Sequence, residues 1–189
     1  MSPEVETLPL IVRSVESSEG DALGLDCWKA GLAAEVVSAS APAGTSDTVE
    51  VFTVGTRLTH ITRAMRQRDA DRALVAASQT VPDWSGGTRL GETLKVFLDR
   101  WGQRGMARGS VVVLFSDGWE RGDVALLGEQ MMRLKRLAHR VVWVNPHRGK
   151  EGYLPVQQGI VAALPYVDHF VAGHSMATFE ELIEVVAHA

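Results

Sequence analysis

The chain has 189 residues, 46% of them hydrophobic and 22% charged, with 19 basic and 23 acidic residues and a net charge of −4. This is the composition of one ordinary globular domain, large enough to bury a full core. It lacks the basic excess of a nucleic-acid binder, and its single cysteine, Cys27, excludes an internal disulfide framework and a Cys-rich zinc site. No apolar run approaches the ~18–20 residues of a membrane-spanning helix. The opening residues, Met1 to Arg13, carry acids where a secretion signal needs bases. A cytoplasmic location is therefore expected.

Charge is unevenly spread. Residues 1–50 hold two basic and nine acidic residues, whereas residues 51–189 hold 17 basic and 14 acidic ones. The first part is weakly patterned. Its stretch from Ser38 to Thr48, with Pro42 and Gly44, reads as a linker. The expected organisation is a divergent segment over residues 1–48, disordered or out of frame, followed by one patterned domain over residues 49–189.

From residue 49 the elements alternate between strand and helix. Val49 to Val54 is rich in β-formers and stops at Gly55, and Arg57 to Thr62 predicts a short edge strand. Asp69 to Thr80 predicts a helix, and Pro82 to Thr88 a loop. Leu90, Leu94, Phe97, Leu98 and Trp101 fall on one helical face, with Gly102 and Gly105 placed to end that helix. Val111 to Phe115 is apolar without alternation, the mark of a strand covered on both faces. Asp123 is an expected N-cap for a helix burying Leu127, Met131, Leu134 and Ala138, with Lys135, Arg136 and His139 near its C-terminus. Val141 to Val144 is a second buried strand, Asp168 to Ala172 a short one, and Phe179 to His188 a closing helix.

This alternation predicts an α/β fold with a mainly parallel sheet and right-handed crossovers. In such sheets ligands bind beyond the carboxyl ends of the strands. Those ends are Gly55-Thr56, Ser116-Asp117-Gly118 and Asn145-Pro146, with the loop Ser85 to Thr88 nearby. No phosphate loop, dinucleotide turn, nucleophile elbow or zinc-protease motif is present. What the loops do offer is oxygen: the hydroxyls of Ser85 and Thr88 and the carboxylate of Asp117. Hard oxygen donors suit Mg²⁺ or Mn²⁺, although two protein ligands alone hold such an ion poorly. On residue type alone, commoner roles compete. An Asp between a buried strand and Gly is commonly a turn residue, and a Thr ahead of a helix is commonly a cap. By the same standard Trp84, Trp119 and Trp143 read as packing residues, and Arg133, Lys135, Arg136 and Arg140 as a solvated helix face.

Five blocks, in order, resemble the CoxE-like branch of the von Willebrand factor A (VWA) domains. They are Val-Phe-Thr-Val-Gly-Thr-Arg-Leu-Thr (51–59), Val-Pro-Asp-Trp-Ser-Gly-Gly-Thr-Arg-Leu-Gly-Glu (81–92) and Phe-Leu-Asp-Arg-Trp-Gly-Gln-Arg-Gly (97–105). The others are Val-Val-Val-Leu-Phe-Ser-Asp-Gly-Trp-Glu-Arg-Gly-Asp (111–123) and Leu-Lys-Arg-Leu-Ala-His-Arg-Val-Val-Trp-Val-Asn-Pro (134–146). The resemblance implies a three-layer fold, with a mainly parallel six-stranded sheet between helices. It also implies a metal-ion-dependent adhesion site for Mg²⁺ or Mn²⁺, in which Thr88 and Asp117 match two of the family's three ligand loops and Ser85 is a further candidate. Ser85, Gly86, Gly87 and Trp119 would face the partner. The implied role is that of a non-enzymatic module acting with a MoxR-type AAA+ ATPase and an acidic client, in maturation of carbon monoxide dehydrogenase or a related enzyme.

The family's first ligand loop, Asp-x-Ser-x-Ser after the first strand, has no match. Asp21, Asp26 and Asp47 are each followed by other residues. The apolar strand expected before that loop is also missing from its place ahead of Val49, which leaves the first strand of the fold open, with Leu8 to Val12 as a substitute. A degenerate fragment without a working metal site, and an α/β enzyme using Asp117, are the competing readings.

Overall fold

A computed structural model describes residues 8–13, 49–67, 69–80, 88–149, 152, 154–173 and 176–187. Its centre is a six-stranded sheet of β1 (Leu8–Arg13), β2 (Val49–Val54), β3 (Leu58–His60), β4 (Val111–Phe115), β5 (Arg140–Asn145) and β6 (His169–Ala172), in the spatial order β3-β2-β1-β4-β5-β6. All neighbours run parallel except β2 and β3, which form an antiparallel pair at one edge.

The first strand is therefore present, and it comes from the start of the chain. Leu8-Pro9-Leu10-Ile11-Val12 is too short to read as a targeting segment, but its length and apolar character suit a strand flanked on both sides. It pairs with β2 from Leu8↔Val49 to Arg13↔Val54, and with β4 from Leu10↔Val113 to Val12↔Phe115. Proline donates no hydrogen bond and belongs near the start of an interior strand. Pro9 obeys this, since the pairing with β4 begins one residue after it. The linker reading of Ser38 to Thr48 falls outside the described residues, as does Cys27.

Helices cover both faces of the sheet. On one face α1 (Thr62–Met65), α2 (Ala70–Thr80) and the last helix, α6 (Met176–Ala187), pack Met65, Ala77 and Leu182 onto Val51, Val113, Val142 and Val144. On the other, α3 (Leu90–Phe97), α4 (Val124–Leu137) and α5 (Gln158–Ala163) bring Leu94, Phe97, Leu127, Met131, Leu134 and Ile160 onto Phe52, Val112, Leu114 and Trp143. This double cover is why β4 is buried at every position, as its unalternating sequence predicts.

Three expectations are corrected. Thr62 is not strand; β3 ends at His60 and Thr62 opens α1. Gly102 does not end the helix that begins at Leu90. That helix widens into a π-helical segment, Leu98–Met106, and Gly102 is buried within it. A Cβ there would lie 3.0 Å from the Leu98 side chain, so Gly102 serves packing, and the chain turns at Gly105, where φ is +126°. Lastly, the basic face of α4 is not merely solvated. Arg133 pairs with Asp99 at 2.8 Å and reaches Gln130, and Lys135 pairs with Asp168.

Asp168 also accepts from the backbone N–H of Val141, so its carboxylate joins the end of α4 and the start of β5 to the approach to β6. Burial raises its pKa, but the Lys135 and Val141 hydrogen bonds and the charges of Lys135 and Arg140 outweigh it and hold the value below the ordinary 3.8. A depressed carboxylate stabilises the fold fully above its unfolded pKa and loses that contribution as pH falls through the folded value. We expect Asp168→Asn to lose stability at neutral pH and to converge with the wild type in acid, in urea titrations from neutral pH downward. Leu94→Ala or Leu127→Ala, at fully buried positions, should cost about 2–5 kcal/mol in the same titration.

Candidate functional site

The parallel strands end together at one edge of the sheet, and two loops there are locked to each other. One leads into α3 and includes Thr88; the other follows β4 and runs from Ser116 to Asp123. The backbone N–H of Arg121 donates to the Thr88 carbonyl at 2.9 Å. Glu120 then reaches across, with one carboxylate oxygen accepting from Gly91 N–H at 3.0 Å and the other from Gly122 N–H at 2.5 Å. Gly91 lies in the first turn of α3, where backbone N–H groups have no helical partner and negative charge is favoured. Glu120 thus serves as a cap from 29 residues away. Arg89, at the formal cap position, makes no side-chain cap bond. Gly91 also lets α3 approach the start of α4, since a Cβ there would stand 2.8 Å from the Leu127 nitrogen.

Asp117 and Thr88 are both buried, at 5% and 3% exposure. One Asp117 oxygen accepts from Trp119 N–H at 3.1 Å, the local turn that an Asp before Gly commonly makes. Thr88 is not the helix cap. Behind Asp117 the loop is pinned from β5. Asn145 Nδ2 donates to the Asp117 carbonyl at 3.2 Å, and Trp143 Nε1 donates to the Ser116 carbonyl at 2.9 Å. Asn145 Oδ1 accepts from His147 and Arg148 N–H, which shapes the next loop. Trp143 is a packing residue, as expected, with 1% exposure. Trp119 is the reverse: at 64% exposure it stands out from the loop, contrary to the packing role its residue type favours.

The side-chain oxygens of Thr88 and Asp117 are both buried, and oxygen donors are the type that suits a hard divalent cation. Among the described residues no group of three His, Cys, Asp or Glu side chains is assembled for a metal. Trp84, Ser85, Gly86 and Gly87 lie outside the described residues. With Val12 opposite Phe115, the chain leaves β1 at Arg13, next to the strand that leads to Asp117. The residues that follow in sequence are Ser14-Val15-Glu16-Ser17-Ser18, not Asp-x-Ser-x-Ser, although oxygen-bearing side chains recur at 14, 16 and 18. Residues 14–18 are outside the described residues.

Sequence reasoning missed Glu120, and it marked Asn145 only as a strand end, without its role in holding the loops. Their signal is weak, because Asn145 is simply the last residue of β5 and Glu120 a polar residue of the loop after β4, and only the fold shows which backbone groups they satisfy. Among the described residues no helix is long and apolar enough to cross a membrane.

The loops are expected to be fragile where they interlock. Glu120→Ala leaves the N–H groups of Gly91 and Gly122 without the carboxylate and should cost about 1–3 kcal/mol in chemical unfolding. Gly118→Ala forces a side chain to a φ of +87° and onto Ile160, and should destabilise by roughly 1–3 kcal/mol.

The family model described as "VWA domain containing CoxE-like protein" matches residues 33–179. No curated protein matches the chain in sequence. Solved structures share the fold at low identity. Proximal thread matrix protein 1 from the mussel byssus, with a zinc-occupied MIDAS motif, matches at 13% identity and a TM-score of 0.59, over 95% of this chain and 46% of that one. The manganese-loaded TRAP protein of Plasmodium vivax matches at 16% and 0.60, over 97% and 72%. A von Willebrand factor type A protein from Catenulispora acidiphila matches at 16% and 0.61, over 98% and 42%. The chain thus spans under half the length of the byssus protein.

Proposed function

Since the chain belongs to the CoxE-like family of VWA domains, we propose that it is a non-enzymatic interaction module that acts with a MoxR-type AAA+ ATPase. The process served is maturation, or metal-centre assembly, of carbon monoxide dehydrogenase or a related enzyme. The observation that carries this reading is the pair of buried oxygen donors, Thr88 and Asp117, on two loops locked together at the carboxyl edge of the sheet. In this reading Thr88 and Asp117 hold Mg²⁺ or Mn²⁺, with Ser85 as a further candidate oxygen. Ser85, Gly86, Gly87 and Trp119 face the partner. When bound, such an ion supplies positive charge and an exchangeable coordination position for a carboxylate. The protein's own part is to present that edge rigidly. Glu120, Asn145 and Trp143 hold the loop after β4 against α3 and β5, which lowers the cost of ordering that loop at the moment of binding. The metal-holding proteins of the same fold support the reading.

A VWA fold without a working metal site is the second reading, favoured by the sequence of residues 14–18. Thermal unfolding with and without Mn²⁺ separates the two. At ~100 times Kd a bound ion stabilises by about 2.7 kcal/mol. The metal reading expects a rise in Tm for the wild type and none for Asp117→Ala. A cooperative transition indifferent to metal in both proteins assigns the second reading. Co-expression with the MoxR-type ATPase should then recover a complex from the wild type, weakened in Trp119→Ala.

A further inference from the structure

The sheet ends at β6 on one side and at β3 on the other, and the β3 side is basic. From Val51 to Arg68 the sequence holds four arginines and no acidic residue. Arg57 leads into β3, Arg63 lies in α1 and Arg66 follows it. Arg57, Arg63 and Arg66 are exposed, and among the described residues none of the three is in an ion pair. The segment packed beside β3 contributes a further charge. The Trp101 and His60 rings lie 6.2 Å apart, and the Arg100 guanidinium stands 5.9 Å from the Trp101 centroid. The acids of the region do not cancel this. Residues 50–72 hold five basic and three acidic residues, and residues 89–108, which include α3 and the π-helical segment, hold five and two. The balance is 10 − 5 = +5 in a chain whose net charge is −4. Of these acids, Asp99 pairs with Arg133 on α4, and Glu50 holds His60 and Thr62.

The backbone of β3 narrows what fits against this charge. Ile61 N–H donates to the Val51 carbonyl at 2.9 Å, and Gly55 N–H to the Arg57 carbonyl at 3.3 Å, on either side of the Thr53↔Thr59 pair. Backbone groups alternate in direction along an antiparallel strand, so Arg57, Thr59 and Ile61 turn theirs toward β2, while Leu58 and His60 turn theirs outward. No strand lies beyond β3 among the described residues. The edge therefore presents backbone donors and acceptors in alternation. An extended polypeptide matches that alternation, whereas a nucleic acid or a lipid headgroup matches only the positive charge. A second copy of the chain would bring the same arginines against one another. Charged side chains guard an edge against unselective pairing, and a guard of one sign is lifted for a strand of the opposite sign.

We propose that the outer edge of β3 is a docking site for an extended acidic segment of a partner protein. The segment adds to the sheet beside β3 and bonds to the outward N–H and C=O groups of Leu58 and His60. Its Asp or Glu side chains meet Arg57 at one end of the strand and Arg63 at the other, with Arg100 on the flank formed by Trp101. Both β2 and β1 stand between this edge and the strand that leads to Asp117. The site therefore goes beyond the metal-dependent reading, requires no metal, and stands or falls independently of it.

A displayed library of random peptides, selected on the full chain in EDTA, tests the proposal. The expected outcome is enrichment of peptides that set two or more Asp or Glu among β-forming residues. Resynthesised with N-methyl groups on alternate residues, in each of the two phases, these peptides should lose roughly tenfold or more in affinity in one phase, because methylation removes the donors the edge requires. A comparable loss is expected in the double variant Arg57→Glu/Arg63→Glu, at exposed positions where the wild-type thermal transition should be kept. If that transition is lost, Arg57→Gln/Arg63→Gln takes its place. Binding should weaken with added salt and persist in Asp117→Ala. No enriched peptides, peptides without acidic bias, or indifference to N-methylation or to the double variant would each overturn it. Loss of binding in Asp117→Ala would overturn it too, by placing the peptide at the carboxyl edge. So would an oligonucleotide that displaces every selected peptide and binds more tightly, or a wild-type dimer in sedimentation that the double variant disperses. Peptide binding as expected, with no effect of Mn²⁺ on the thermal transition, would sink the metal reading and leave the β3 site standing.

Discussion

Strands β2 and β4 do not pair with each other; each hydrogen-bonds to β1. Six residues from the start of the chain therefore hold together two halves of a sheet that everything else packs on. Remove them and β2 and β4 would each face the gap with a row of unpaired backbone groups, which is both a loss of hydrogen bonds and an invitation to wrong pairing. The position of Asp117 also depends on β1. Its own carbonyl and that of Ser116 are held from β5 by Asn145 and Trp143, and β5 is in turn held in register against β4, which β1 supports from the other side.

Polar chemistry at the carboxyl edge is mostly internal. Glu120 satisfies the start of α3 and its own loop, Asp123 caps α4, and Asn145 serves the loops on both sides of it. These bonds replace water at backbone groups that the close packing of α3, α4 and α5 would otherwise strand. As a result Thr88 and the loop from Ser116 to Asp123 are tied to each other and to β5, and a surface held in this way has less ordering cost to meet on binding.

Much of this was legible in the sequence, for identifiable reasons. Val111–Phe115 and Val141–Val144 are apolar without alternation because both faces of the sheet are covered, so their burial could be read directly. Asp123 was recognisable as a cap by its position ahead of an amphipathic helix. The first strand was harder. Leu8–Arg13 lies within the acidic, weakly patterned segment set apart by composition, and nothing local tells a strand that its partners lie at residues 49 and 113. The exposure of Trp119 was hidden for a related reason. Residue type argues for burial, and only the fold shows that α5 packs directly on the backbone beside Trp119 while the indole stands at 64% exposure. Glycine at 102 misled because it signals a helix end as readily as a close contact between side chains.

The place of β1 also sets the order in which this protein can assemble. Leu10 pairs with Val113, more than a hundred residues further along the chain. Contacts of such separation are entropically expensive to close and slow folding. During synthesis β1 is made before either partner, and its second edge stays open until β4 has been translated. Until then Leu10, Ile11 and Val12 form a β-prone apolar run with no second strand to cover it. The interval between those two events is when the chain is most exposed to aggregation.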